Sequence, residues 1–156
     1  MSSFLQAGDT VNGREGSVTA TINGNVYNLL EIRNLEAKVE KEKSDIPVLG
    51  SRAMQTKAKG FKGTGSCEAY YVSSMMAELM LKYMQTGVDT YFTIVISNED
   101  KTTSLGEQRI QLNNVNIDSY PIAKVDVEAD VLTCSFDFTF ETAEILKSFD
   151  RPDYFD

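Results

Sequence analysis

Long runs in which apolar and polar residues alternate strictly are the feature that most constrains how this chain can fold. Residues 35–40 alternate aliphatic and charged side chains, and residues 92–96 place aromatic and branched residues at every second position. Residues 132–140 carry leucine, cysteine and three phenylalanines at even positions. A period of two is typical of antiparallel strands with one buried and one wet face. The pattern predicts a mainly β protein.

Two of these runs change parity, which predicts bent strands. Ile110 and Leu112 share one face while Val115 and Ile117 share the other, so a bulge near residues 113–114 would keep all four buried. The last run, read as one strand over 125–140, changes parity at residues 130–131. Long strands that bend in this way predict two packed antiparallel sheets that form a barrel-like sandwich.

The local signals predict one short hairpin and one helix. Asn-Gly-Asn at 23–25 separates two β-rich runs, which is a strong hairpin signal, and the second strand is expected to run on through residue 40. A methionine-rich stripe at helical spacing predicts a flanking helix over about 73–86, closed by Gly87. We expect the stripe to pack on a sheet, the alternative being a partner surface.

The segment 40–50 predicts a protruding hairpin. It places alternating charges before four apolar residues, Pro47 has no N–H for a sheet ladder, and Gly50 ends the run. A glycine- and lysine-rich strand follows from about residue 57 to 72. We therefore expect an extended hairpin loop over about 41–57. Apolar residues in such a loop lower solubility unless they are covered, so the loop is interpreted as a segment that docks on another copy.

Length and charge favour one self-associating domain. The 156 residues predict a single domain over 1–156, with an N-terminal arm at 1–16 and a C-terminal segment at 144–156. The net charge is −8, yet residues 46–67 hold four bases and no acid, whereas residues 118–156 hold ten acids and three bases. Such patches suit head-to-tail association. Alternatively they neutralise each other within a monomer or face solvent.

Composition argues against enzymatic, metal and cofactor sites. The chain has no histidine, and its two cysteines, Cys67 and Cys134, are expected to be reduced core thiols. Residues 57–66 lack the residue order of a phosphate-binding loop, and residues 126–130 lack the glycine of a calcium loop. No apolar run approaches the length of a membrane helix, and the absence of a signal-peptide pattern predicts cytoplasmic synthesis.

Seven short segments between about residue 13 and residue 149 carry a resemblance to a known family, namely residues 14–16, 20–24, 44–50, 61–66, 70–74, 116–119 and 137–141. Together they resemble tail tube proteins of contractile-tailed phages, prophage-like elements and phage-derived contractile (R-type) bacteriocins. This resemblance implies a structural virion protein, not an enzyme, whose hexameric rings stack into the hollow inner tube of a tail or tail-like particle. That tube would be a conduit for DNA or ions, without specific DNA binding.

The resemblance also implies partners and interface residues. The partners are identical subunits, a contractile sheath protein, and baseplate and tail terminator proteins; both chain termini would contact neighbours. The interface candidates at the hairpin are Glu42, Lys43, Asp45, Ile46, Pro47, Val48, Leu49, Arg52, Lys57, Lys59 and Lys62. Two polar stretches are candidates for the lumen, namely Glu36, Lys38 and Glu40, and Asp126, Glu128 and Asp130. The alternative is a ring protein of the type VI secretion kind or another β-barrel binding module.

Overall fold

The computed structural model describes residues 7–9, 14, 16–99, 101 and 103–150. Most of the predicted arm at 1–16 and residues 151–156 of the predicted C-terminal segment lie outside this part. Within it, a 3₁₀ turn at Ala7–Asp9 precedes eight strands and one α-helix. The elements are β1 Gly16–Ile22, β2 Asn25–Asn28, β3 Ile32–Ile46, β4 Gln55–Tyr70, α1 Met75–Thr86, β5 Phe92–Glu99, β6 Glu107–Ser119, β7 Thr133–Phe140 and β8 Thr142–Lys147.

The strands form two antiparallel sheets, as the sequence predicted, and the structure shows that the sheets share one long strand. The first sheet has the order β2-β1-β5-β6-β8, and the second has the order β6-β7-β4-β3. The first half of β6 pairs with β5 and β8, whereas residues 116–119 pair with β7. The strand β6 therefore turns the corner between the two sheets.

The corner in β6 is the predicted bulge. Asn114 has a φ of 53°, and the pairing with β5 shifts register between the pairs Ile94–Leu112 and Phe92–Val115. Because of this extra residue, both Leu112 and Val115 are buried although they lie an odd number of positions apart. The Asn114 side-chain amide donates to Glu141 Oε2 at 2.8 Å, which ties the corner to the β7–β8 junction.

The core lies between the two sheets. Phe136, Phe138 and Phe140 on β7 are buried, and Gly63 and Gly65 on β4 pair with the last two. The buried cluster has these other members: Val18, Ala20, Ile22, Leu29, Cys67, Met76, Phe92, Ile94, Leu112, Val115 and Ile117. Cys67 and Cys134 are buried free thiols, as expected.

The predicted hairpin and helix are both present. Asn23 and Gly24 have φ of 52° and 84°, the pair of positive angles that a two-residue type I′ turn requires. The helix α1 is capped by Gly87, whose N–H donates to the Tyr83 carbonyl at 2.8 Å. Its methionine stripe packs on the core only in the first half of the helix, through Met75, Met76, Leu79 and Met80. Tyr83 and Met84 are exposed, so this part of the packing prediction is wrong.

Three strand assignments differ from the sequence prediction. The strand expected over 26–40 is divided, since Leu29 turns into the core and its N–H donates to the Val18 carbonyl at 2.9 Å. β2 therefore pairs with β1 in the first sheet, whereas β3 pairs with β4 in the second. Residues 121–132 form a loop, because β7 meets its partner β4 only from the pair Tyr70–Thr133 onward. β8 was not predicted; it pairs with β6 and leaves its own side chains exposed.

Candidate assembly surfaces

The hairpin of β3 and β4 projects beyond the rest of its sheet. β4 pairs with β7 only between Gly63 and Tyr70, whereas its ladder with β3 continues to the pair Ile46–Gln55. We call residues 41–61 the hairpin arm. Six residues of β3 in the arm, at about 3.3 Å each, span roughly 20 Å. No third strand of the described chain pairs with this two-stranded projection.

The two strands of the arm pair with each other closer to its tip than the sequence predicted. Its loop was predicted over about 41–57, but only residues 47–54 are unpaired, so Glu42, Lys43, Asp45 and Lys57 lie in strands. A bulge between Glu42 and Lys43 adds one residue on β4. Both faces of the arm are exposed to solvent, so charged side chains do not interrupt the pairing of its strands. The pairing ends at Ile46, because the next residue, Pro47, has no backbone N–H to donate.

The tip of the arm, which we define as residues 46–54, exposes apolar side chains that the subunit itself does not cover. Leu49 is fully exposed, and Met54 and Ile46 are exposed as well. Gly50, with a φ of 84°, closes a turn in which the Ser51 N–H donates to the Val48 carbonyl at 3.3 Å. The tip is thus a defined turn whose apolar residues point away from the core of their own subunit.

The arm is basic and its bases are not neutralised locally. Residues 41–59 contain five bases and two acids. The ion pairs found in the described part of the chain join Arg33 to Glu68, Lys38 to Glu40 and Arg109 to Glu107, all outside the arm. The bases are Lys41, Lys43, Arg52, Lys57 and Lys59. The arm therefore presents net positive charge to solvent.

The outer face of the second sheet is polar across three strands. Glu36, Lys38 and Glu40 on β3 pair with Ser66, Thr64 and Lys62 on β4, and cross-strand partners share a face. Ser66 and Thr64 in turn pair with Asp137 and Thr139 on β7. A shallow groove on this face is lined by Glu36, Lys38, Thr64, Ser66, Asp118 and Asp137.

The second set of lumen candidates does not share that face. Asp126, Glu128 and Asp130 lie in the loop 121–132, so the prediction that they alternate along a strand is wrong. Sequence reasoning had also missed the polar residues of β7, Asp137 and Thr139. Their alternation with buried phenylalanines was a usable signal, but only the pairing with β4 shows that they extend the face of Glu36.

Both thiols, Cys67 and Cys134, are buried packing groups. Burial, with smaller contributions from Cys134 and nearby carboxylates, raises the pKa of Cys67 to about 12. Burial and a 3.7 Å hydrogen bond from Cys134 Sγ raise the pKa of Tyr120. No cluster of three or more metal-ligating side chains occurs among the residues that the structure describes. In the same residues, no helix has the length and apolarity needed to cross a membrane.

The sequence matches the family model described as "Phage tail tube protein" over residues 3–147. The chain belongs to this family. It is 36% identical over 141 residues to "Phage-like element PBSX protein XkdM" of Bacillus subtilis (strain 168), which covers 90% of this chain and 93% of the relative. It is also 35% identical, with the same coverage, to "Uncharacterized protein YqbM" of that organism.

Solved structures confirm the fold of this tail tube protein. The tube terminating cap of the anti-feeding prophage matches with a TM-score of 0.68 at 10% identity, over 93% of this chain and 95% of that one. A chain of the PVC sheath–tube complex, an extracellular contractile injection system, matches with a TM-score of 0.61 at 6% identity, over 84% and 88%. Family membership makes the protein a structural component of a phage tail or tail-like particle, not an enzyme.

Proposed function

We propose that this protein is the repeating subunit of the inner tube of a contractile tail or tail-like particle. Six copies form a ring, and the rings stack into a hollow conduit for DNA or ions. The observation that carries this proposal is the hairpin arm, which extends roughly 20 Å past its sheet and ends in an uncovered apolar turn. In a tail tube family, an identical subunit in the next ring is the partner that such an arm fits.

The contact through the arm is well suited to a rigid tube. Leu49 is fully exposed and Met54 is more than half exposed in the single subunit, so a neighbour that covers them removes apolar surface from water. Each contact is small. Because every subunit of every ring repeats it, the total along a tube is large.

The unpaired strand edges favour lateral association into rings. On one side β3 pairs with β4, but no strand of the described chain pairs with its other side. A fifteen-residue open edge is a template for pairing with another chain. A neighbouring subunit that continues the sheet would cover it. The exposed β8 and the chain termini would then face other neighbours, including the sheath, baseplate and terminator proteins.

The polar face of the second sheet is the best candidate for the lumen. Its acids are Glu36, Glu40, Asp118 and Asp137, against the bases Lys38 and Lys62. A wall with excess negative charge repels phosphate groups, so DNA would pass without adhering. Asp126, Glu128 and Asp130 are not on this face, because they lie in the loop 121–132.

Concentrating the purified protein tests the proposal. We expect hollow tubes in negative stain, and six-fold symmetry in cross-section by electron cryomicroscopy. Isolated rings that never stack would favour the alternative ring protein of the type VI secretion kind. A monomer at every concentration, by light scattering after size exclusion, would contradict the tube.

A further inference from the structure

The loop 121–132, which we call the valine loop, exposes apolar residues that a single subunit leaves in water. Val125 is 95% exposed, Val127 is 97% exposed, and Val131 is also exposed. Acids stand between these valines, namely Asp126, Glu128 and Asp130. A loop that exposes three valines is a candidate interaction surface, because contiguous exposed apolar patches mark sites of contact with other proteins.

Hydrogen bonds hold the valine loop against the body of the subunit. Near its start, the Tyr71 hydroxyl donates to the Ile122 carbonyl at 3.4 Å. Lys124 Nζ, also near the start, donates at 2.6 Å to the carbonyl of Thr133, the first residue after the loop. At the end of the loop, the Tyr71 N–H donates to the Leu132 carbonyl at 2.9 Å. Within it, the Glu128 N–H donates to Asp126 Oδ1 at 3.0 Å. The valines are therefore presented by a structured loop.

The valine loop and the tip of the arm lie at opposite ends of the same strand. The loop leads into β7 at Thr133, which pairs with Tyr70 at the end of β4. The tip leads into β4 at Gln55, which pairs with Ile46. The fifteen steps along β4 between those ends correspond to roughly 50 Å at about 3.3 Å per residue. The two surfaces therefore cannot meet within one subunit, but they would meet between two subunits stacked along the direction of β4.

The two surfaces are complementary in charge as well as in position. The arm carries five bases and two acids, and the valine loop carries three acids and one base. None of the three acids forms an ion pair with another described residue. Lys124, the base of the loop, is directed to a backbone carbonyl. Opposite charge around small apolar centres steers two surfaces together and sets their orientation.

We propose that the valine loop of one copy receives the tip of the arm of the next copy. This inference rests on the proposed tube and names the acceptor of its axial contact. Leu49 and Met54 pack against Val125 and Val127, while Lys57 and Lys59 approach Asp126 and Glu128. The contact is heterologous, because the two surfaces differ. It therefore repeats without limit and gives the stack a fixed polarity.

Reversing the charges on one side and then on both tests the electrostatic part of the contact. We expect Lys57→Glu with Lys59→Glu to lower the pelleted tube fraction at least tenfold, and Asp126→Lys with Glu128→Lys to do the same. Combining all four changes in one chain should restore tubes. Lys82→Glu on α1 is the matched control, since this exposed lysine lies outside both surfaces. If either double variant gave the same pelleted tube fraction as the wild type, the inference would be overturned.

Cysteine cross-linking tests the contact directly, even if the free protein forms no tubes. Leu49→Cys protein mixed with Val127→Cys protein should give a disulfide-linked dimer on mild oxidation, because both native thiols are buried. Leu49→Cys mixed with Met84→Cys, an exposed helix position, is the control. Equal yields from both mixtures would refute the inference. Wild-type protein that never assembles, with no specific cross-link, would refute the proposed tube as well.

Discussion

Gly65 and Phe138 are cross-strand partners, and the phenylalanine ring occupies the space that a side chain at position 65 would need. A Cβ on Gly65 would lie 2.5 Å from Cε2 of Phe138 and 2.9 Å from the Glu36 carbonyl oxygen. Both distances are far below van der Waals contact. Because Gly65 has no side chain, the buried Phe138 ring can lie directly against β4 on the core side of the sheet.

Gly65→Ala should therefore destabilise the monomer by about 2 kcal/mol, within the usual cost of overpacking a core. Urea denaturation followed by circular dichroism measures the change. Gly60→Ala is the matched control, because this glycine lies in the same strand with nothing within 4 Å of its would-be Cβ. If the two variants were equally stable, the ring would not be confined as described.

Asn114 should tolerate glycine better than a β-branched residue. Its φ of 53° lies in the left-handed region, which valine adopts only under strain. We expect Asn114→Val to cost about 2 kcal/mol, within the range for a strained backbone position. Asn114→Gly should cost less, since it loses only the hydrogen bond to Glu141. Chemical denaturation of the two variants side by side gives the comparison, and the reverse order would contradict the bulge.

Leu49→Asp should abolish stacking without unfolding the subunit. The side chain is fully exposed, so the free energy of unfolding of the monomer should change by less than about 0.5 kcal/mol. Burying the new charge at the ring contact is costly, so long tubes should disappear from sedimentation profiles and micrographs. Met84→Asp, an equally drastic change at an exposed helix position, should leave stacking intact. An unchanged profile for the Leu49 variant would remove the tip from the contact.

Cys67 should make the protein less stable in alkali. Its pKa is raised to about 12 in the folded state from an ordinary value of 9.0. Between these two values the unfolded chain has released the proton and the folded chain retains it, so stability falls as pH rises. Urea midpoints at pH 8 and pH 10.5 should therefore differ more for wild type than for Cys67→Ala. Equal differences would show that burial does not perturb the thiol.

Thiol accessibility provides a second measurement at neutral pH. An aromatic disulfide reagent should modify neither Cys67 nor Cys134 in the native protein, because both are buried. In denaturant it should release two equivalents of chromophore. Rapid native-state labelling would contradict the burial of these side chains.

Much of the fold could be predicted because its signals are local. Alternation identified the strand faces, the Asn-Gly turn located the first hairpin, and the parity change between Leu112 and Val115 located the corner of β6. Each of these signals depends on residues close together in sequence. The tip of the arm was recognised for the same reason, since Pro47 and the apolar residues around it stand out from the charged residues on either side.

Other features were decided by partners distant in sequence. Apolar and acidic residues alternate in 125–131 as they would in a strand, yet these residues form a loop. The reason is that the pairing between β4 and β7 ends at Tyr70 and Thr133, so no strand among the described residues lies beside them. The charged arm pairs out to Ile46 because β3 has β4 beside it over that whole length. Sequence by itself determined which faces are apolar and where the chain turns, since side-chain pattern encodes both. Tertiary structure alone decided which strands pair and that the basic tip and the acidic valine loop lie at opposite ends of the subunit, because backbone hydrogen bonds between distant segments leave no local pattern.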